Sequence, residues 1–447
     1  MDILQDIVFP QSPHHILLLK YLFFLTLLLL LPYLSMLIGT TLFSIMHFHK
    51  GKKFENRNSL IFAKELIDLF TLNKTMSIAL GIVPFLSLIF ILAQLLFGTN
   101  LSFTSDLIFA LLLFIGSLFY IYIYKYSFTL KNAFMLVNVK EITNQNLVEE
   151  FEKLRKSNSK LLSKSGFIGF GLLLLVSYLL IGVIKVVSSQ VTENDLFTLL
   201  FSTETILYFL FYIAFSLTIT CAAIIFKYFK SDAKIYKKEY LTFVKNFTLK
   251  TGLIFTLVQP FLFVLSFISS PNNSLSFSIF ITGAITLLLM LLISVMFYLM
   301  YKDSKMHLGG SAVLVFLILA ATLIHKDQLA FETKNVENLF EQEKAYVLYA
   351  QKVKEEAGII EIVEIKGEDI YDTKCIACHR FDTKLVGPAY NDVLPKYDGK
   401  KSELVDFILN PRKINPEFTA MPNQGLKPRE AEAIADYIIK VYQKNKK

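Results

Sequence analysis

The stretch LLKYLFFLTLLLLLPYLSMLIGTTLFSIM, residues 18–46, carries no charged side chain after Lys20. A helix that spans a bilayer needs about 20 largely apolar residues, so this run is long enough to cross. Seven more runs follow, at roughly 75–97, 107–125, 166–188, 205–228, 252–269, 276–301 and 307–325. The whole composition agrees with that count. Of 447 residues 54% are hydrophobic and 18% charged, and 42 are Phe. A soluble protein runs about 45–50% apolar and about 25% charged, so a single soluble domain and a disordered chain are both excluded. Trp is absent, which leaves Tyr and Phe to supply an interfacial belt. Three cysteines exclude a disulfide scaffold.

The formal net charge of +8 gains meaning once it is assigned to sides. The loop between runs one and two holds Lys50, Lys52, Lys53, Arg57, Lys64 and Lys74. The next two basic loops hold eight residues, from Lys125 to Lys164, and seven, from Lys227 to Lys250. The last holds Lys302 and Lys305. The intervening loops, 98–106, 189–204 and 270–274, contain no Lys or Arg. The positive-inside rule therefore predicts that both termini lie outside the cytoplasm. It also accounts for the basic charge without a nucleic-acid partner. No basic segment precedes the first run and no cleavage pattern follows it, so it is expected to be a retained span.

The basic loops mix charge with apolar residues, as in NLVEEFEKLRKSNSKLL (146–162), and predict amphipathic helices lying at the inner interface. Lys20 and Lys185 stand near outer span ends, where they are expected to snorkel. No proton or ion relay is evident among the charges. Pro84 and Pro260 are expected to kink their spans. Gly169, Gly171, Gly309 and Gly310 are expected at helix contacts, and Cys221 as a packed thiol. There is no phosphate loop and no H-E-x-x-H.

Histidines fall in two groups. His14, His15 and His325 lie near the outer face, and His47, His49 and His307 near the inner face. Two b-type haems ligated by these rings would carry electrons across the membrane. Each ring sits at a span end and no pair has a motif spacing. The expectation is therefore no haem b, with these six residues as the candidate ligands should one be present.

Cys375-Ile376-Ala377-Cys378-His379 is C-x-x-C-H, the attachment signature of c-type haem. Two thiols three residues apart on one helical turn reach the two vinyl groups of one haem edge, and the next residue offers an axial imidazole. A zinc site needs four ligands, and no second Cys/His pair follows. A thioredoxin-like pair expects a βαβ context, which is absent. One covalent haem c is the reading. Met421 is the only methionine after Met306, so it is the expected sixth ligand opposite His379. Such a His–Met pair raises the potential and closes the iron to added ligands.

The neighbouring sequence agrees. KGEDIYDTKC (366–375) reads as a short helix entering the motif, and GPAY (387–390) as a turn beside it. PREAEAIADYIIKVYQK (428–444) repeats its apolar residues at Ala431, Ile434, Ala435, Ile438 and Val441, a helical period. Residues from about 365 to 447, and KCIACHRFDTKLVGPAYNDV above all, resemble class I bacterial cytochromes c, the small periplasmic electron donors. The resemblance implies an all-α fold around one haem, with Cys375 and Cys378 as attachment sites and His379 and Met421 as axial ligands. It implies that the Pro388 carbonyl accepts a hydrogen bond from the His379 ring. Lys427 departs from the usual Ser, Thr or Asp before the last helix. Haem c is attached outside the cytoplasm, which places the C-terminus where the charges place it.

A second, short resemblance links LGIVPFLSLIFILAQLLFGTNLSF (80–103) to subunit I of bd-type oxidases. The first span lacks that family's mid-membrane His, and the third lacks its Glu. The expected organisation is all-α: a polytopic membrane domain of about eight spans (1–325), a helical linker or stalk (326–364) and a monohaem cytochrome c domain (365–447). The expected function is electron transfer on the periplasmic face of a bacterial inner membrane, as a subunit of a respiratory complex rather than a self-contained enzyme. Its expected partners are periplasmic redox proteins and membrane subunits, with quinone as a further ligand. The alternatives are a quinol-oxidising or oxygen-reducing oxidoreductase with b haems in the membrane half, and a redox sensor or transporter with a fused cytochrome.

Overall fold

A spanning segment has no water to satisfy its backbone, so it must be helical. The computed structural model describes residues 10–70, 74–97, 103–137, 144–188, 200–229, 236–270, 276–357, 365–416 and 418–445. Among these there is no strand. Eight helices are long and apolar enough to cross a membrane: α1 (Pro13–Lys53), α3 (Lys74–Leu95), α4 (Thr104–Leu136), α5 (Gln145–Val187), α6 (Thr203–Phe229), α7 (Lys238–Ile268), α8 (Phe277–Asp303) and α9 (Leu308–Lys334). The outer loops read as free of Lys and Arg lie largely outside the described residues, as do Lys140, Lys230, Lys234 and Gly358.

α1 is central, packing on α3, α5, α6 and α9. At Gly39 it meets α6 so closely that a Cβ there would run into Thr220. Gly169 of α5 likewise lies on Ser117 and Ile121 of α4, where the Ser117 hydroxyl donates to the Gly169 carbonyl at 2.7 Å. Gly309 sits on Ile225 of α6, but Gly171 faces open space and so makes none of the helix contact its sequence context suggests. Cys221 is fully buried in the bundle.

One basic loop does fold as a separate amphipathic helix, α2 (Arg57–Phe70), which buries Phe62, Ala63, Leu66 and Ile67. Its Glu65 carboxylate accepts hydrogen bonds from Tyr228 (2.5 Å) and Tyr240 (2.6 Å). The other loops depart from the expected interfacial helices. Residues 126–136, 145–165 and 238–251 simply prolong α4, α5 and α7. No Pro or Gly interrupts 145–165, so nothing in the chain stops the helix. α5 has 43 residues, about 65 Å against about 30 Å of hydrocarbon. Its projecting part pairs with that of α4 through Phe134 and Phe151 and through an Asn158 amide donating to the Ser127 carbonyl at 3.0 Å.

Pro84 leaves a π turn over Ile78–Ile82 rather than a simple kink. Proline lacks the N–H for the residue four back and crowds its carbonyl, and one extra residue in the turn relieves both. Pro260 lies within the continuous α7, and Pro32 within α1.

The chain divides into two compact units, Met1–Gln351 and Lys352–Lys447. The division falls within α10 (Val336–Glu356), inside the stretch read as a linker. The first part of α10 belongs to the membrane unit. Gln342 is buried and its amide donates to the carbonyls of Leu95 (2.9 Å) and Phe97 (2.7 Å), which capture the free end of α3. The second unit consists of short helices, α11 (Gly367–Ile370), α12 (Tyr390–Val393), α13 (Lys401–Leu409) and the closing α14 (Pro428–Asn445). Its core joins Tyr371, Leu394, Leu404, Ile408, Leu426, Ala431, Ile434, Ala435 and Ile438.

Candidate haem site

The C-x-x-C-H segment is set by the elements on either side of it. Gly367 of α11 lies against the Ala433 carbonyl of α14 with no room for a side chain. From there the chain enters a π turn, Tyr371–Cys375, in place of the continuous short helix expected from the sequence. The Ile376 amide closes the turn on the Tyr371 carbonyl at 2.9 Å. The amides of Cys378 (3.1 Å) and His379 (2.9 Å) then both donate to the Cys375 carbonyl. This tight turn puts both thiols and the imidazole beside one cavity.

The following loop is folded back onto the motif. The Gly387 amide donates to the Cys378 carbonyl (2.9 Å) and the Tyr390 amide to the Arg380 carbonyl (2.9 Å). Gly387 lies so close to the His379 ring that any side chain would strike it. His379 Nδ1 lies 3.1 Å from the Pro388 carbonyl, the pairing implied by the resemblance. Donating that hydrogen fixes the tautomer and leaves Nε2 for a metal. The Tyr390 ring stacks on the imidazole, with centroids 5.1 Å apart and planes within 9°. Burial pushes the Tyr390 hydroxyl well above the ordinary phenol range, so it stays neutral. Burial also pushes the Cys375 thiol up, against a hydrogen bond with Tyr390 that lowers it.

Met421 reaches the same cavity from a loop held by side chains. Asn423 donates to the Leu409 carbonyl (3.1 Å) and accepts from the Gly425 amide (2.8 Å). Gly425 adopts φ +62°, a left-handed conformation that suits glycine. Lys374 donates to the Gln424 carbonyl at 3.2 Å and ties this loop to the attachment turn. α14 begins at Pro428 without a Ser or Thr cap, and the Glu430 carboxylate instead accepts the Lys427 amide at 2.8 Å.

The result is a cavity of about 220 Å³ lined by Cys375, Cys378, His379 and Met421, with Leu394, Leu404, Ile408, Ile434 and Ile438 as apolar walls. Two thiols, one oriented imidazole and one thioether around apolar walls are the donor set and surroundings a c-type haem requires. The residues present therefore fit the group. Exposed Lys374, Lys396, Arg412 and Lys413 stand around the opening.

The six membrane-half histidines are dispersed. His15 Nε2 lies 2.9 Å from the Gln94 amide oxygen. His47 is only 3% exposed and is surrounded by Phe62, Phe243 and Phe247, whereas His49 contacts Phe48 and Phe167. His14, His307 and His325 are exposed. No two of them share one of these neighbours.

A charged cluster in the bundle was not foreseen. Lys185 does not snorkel: it is 6% exposed and pairs with Glu204 and Asp327, both at 3.5 Å. Lys326 bonds Asp327 at 2.5 Å, and Tyr208 donates to the other Asp327 oxygen at 2.5 Å. The four charges sit on α5, α6 and α9; Lys326 and Asp327 are neighbours, but no local spacing links that pair to Lys185 and Glu204.

Comparison with known proteins identifies the domain that carries the site. A family model for cytochrome c matches residues 365–441. The chain is 38% identical over 78 residues to cytochrome c-551 of Pseudomonas denitrificans, covering 16% of this chain and 94% of that protein. It is 37% identical over 71 residues to cytochrome c-552 of Hydrogenobacter thermophilus, covering 15% and 71%. Cytochrome c-551 of Azotobacter vinelandii is 33% identical over 78 residues, covering 16% and 94%. No solved structure matches. None of these relatives is a bd-type oxidase, and the likeness of residues 80–103 to that family stays a resemblance. Through residues 365–441 the chain belongs to the cytochrome c family, with the covalent haem c that such a domain implies, and among its described residues it also has eight helices apolar enough to cross a membrane.

Proposed function

We propose that this protein carries single electrons on the periplasmic face of a bacterial inner membrane, as a subunit of a respiratory electron-transport complex. One observation carries the reading: Cys375, Cys378, His379 and Met421 line a single cavity. When bound there, haem supplies a one-electron iron couple. Cys375 and Cys378 would hold it covalently, and His379, oriented by the Pro388 carbonyl, and Met421 would be its iron ligands. With both axial positions filled from the chain, electron transfer is favoured over oxygen chemistry. The basic residues at the opening favour an acidic redox partner, whose approach they would speed.

The periplasmic assignment rests on two independent supports. Haem c is attached outside the cytoplasm, and the Lys and Arg residues alternate between loops. A cysteine placed at Asn273 should label with an impermeant thiol reagent added from outside, and one placed at Ser157 should not. The reverse pattern would overturn the topology. Co-purification of further membrane subunits with the full chain tests the complex, and a chain that purifies alone and fully active would count against it.

A further inference from the structure

Where the π turn widens the start of α3, the membrane unit has a second cavity. It measures about 570 Å³ and lies between α3, α4 and α5. Its long walls are apolar. Ile78, Ile115 and Phe119 line it within the apolar stretches and are also exposed, so this part of the cavity opens on the side that faces acyl chains, while Leu130 and Leu161 line its part along the projecting ends of α4 and α5. Its polar groups gather at one end, where α3 begins and α4 leaves its apolar stretch. Lys74, Ser77, Tyr122, Tyr126 and Asn158 line that end. Most of their polar atoms are engaged within the protein. Ser77 receives the Tyr33 hydroxyl and meets that of Tyr122, both at 2.8 Å, and Asn158 is spent on the Ser127 carbonyl. Lys74 is the charged group among the lining residues, and none of them is acidic. It also belongs to the face of the membrane that carries the basic loops.

A site with one cationic end and an apolar trough open to lipid is the complement of an anionic amphiphile. We infer that this cavity binds an anionic phospholipid. The phosphate pairs with the Lys74 ammonium, and the acyl chains lie along Ile78, Ile115 and Phe119. A neutral quinone would use the apolar trough but gain nothing from an ammonium that meets no acidic group among the described lining residues. The π turn at Ile78–Ile82 and Gly81 belong to the same device. Gly81 lets the rings of Phe114 and Tyr33 come within 2.9 Å of where a Cβ would stand.

The test uses the full chain, purified in detergent and offered equal amounts of phosphatidylglycerol and phosphatidylcholine, with retained lipid counted by native mass spectrometry. Phosphatidylglycerol should be retained in preference. Lys74→Gln should cut its retention about fivefold, the effect of about 1 kcal/mol for one lysine near an anionic headgroup, and leave phosphatidylcholine unchanged. Lys74 is exposed, so the substitution does not threaten folding, and an unaltered detergent-unfolding midpoint of the membrane unit verifies this for each variant. Ile115→Trp, which fills the trough, should reduce retention without touching the charge. Equal retention of the two lipids overturns the inference. So does a Lys74→Gln variant that binds like the original, or displacement of phosphatidylglycerol by an added quinone.

Discussion

At the level of single residues, the haem motif and the charged cluster differ in how they can be read. Cys375, Cys378 and His379 are neighbours in the chain, and the chemistry that needs them together also fixes their spacing, so they are legible. Met421 is legible because no other methionine competes. Gly387 is not. Its role depends on a fold-back that puts residue 387 against residue 379, and only the structure shows that no side chain fits. Gly387→Ala should push the imidazole off the Pro388 carbonyl and cost about 1–3 kcal/mol through overpacking, read in the thermal unfolding of the haem domain. Met421→Ala should abolish the methionine-to-iron charge-transfer band and lower the reduction potential. Persistence of that band would remove Met421 as the ligand. Asp327 stands between Lys185 and Lys326. Asp327→Ala should take from the buried Lys326 ammonium its carboxylate partner, leave Lys185 with Glu204 alone, and destabilise the membrane unit by about 3–5 kcal/mol, seen as a fall in its detergent-unfolding midpoint.

Among the elements, existence was easier to read than extent. The eight spans follow from apolar length alone, because lipid demands helix and helix demands about 20 such residues. The inner loops misled because amphipathic sequence suits two placements, a helix lying flat and a helix paired with its neighbour. Phe134, Phe151 and Asn158 decide for the second in α4 and α5, and they do so across a loop that sequence periodicity does not cross. α14 is legible, since its apolar residues recur at helical spacing and Ala431, Ile434, Ala435 and Ile438 all meet one core. Ile434 is 1% exposed in that core, so Ile434→Ala should cost about 2–5 kcal/mol and lower the midpoint of the haem domain without altering its axial ligands.

For the molecule as a whole, the two compositional halves visible in the sequence are two compact units, yet their border does not fall where hydropathy does. α9 runs on to Lys334, and α10 continues the membrane unit through Gln342 before the haem unit begins. Hydropathy marks where lipid ends, not where packing ends. A haem count on the full chain separates the readings of the membrane half. One haem resisting acid-acetone extraction, and none extracted by it, is the expected result, whereas an extractable haem would bring back the oxidoreductase alternative. Replacing Cys375 and Cys378 together with Ala should leave no haem that resists extraction.

The Gln342 clasp on the carbonyls of Leu95 and Phe97 has a kinetic side. It fixes the start of α10 within the membrane unit, and the same chain continues from there into the haem unit, whose two cysteines carry the haem covalently. A freely diffusing donor meets its acceptor at the concentration of the compartment. A redox centre rooted in this way meets any partner in the same complex at an effective concentration set by the length of the connection, in the millimolar range for a short one. If the chain sits in one complex with its acceptor, as proposed above, electron delivery there would be first-order, indifferent to how many copies the cell makes or how far a vesicle suspension is diluted.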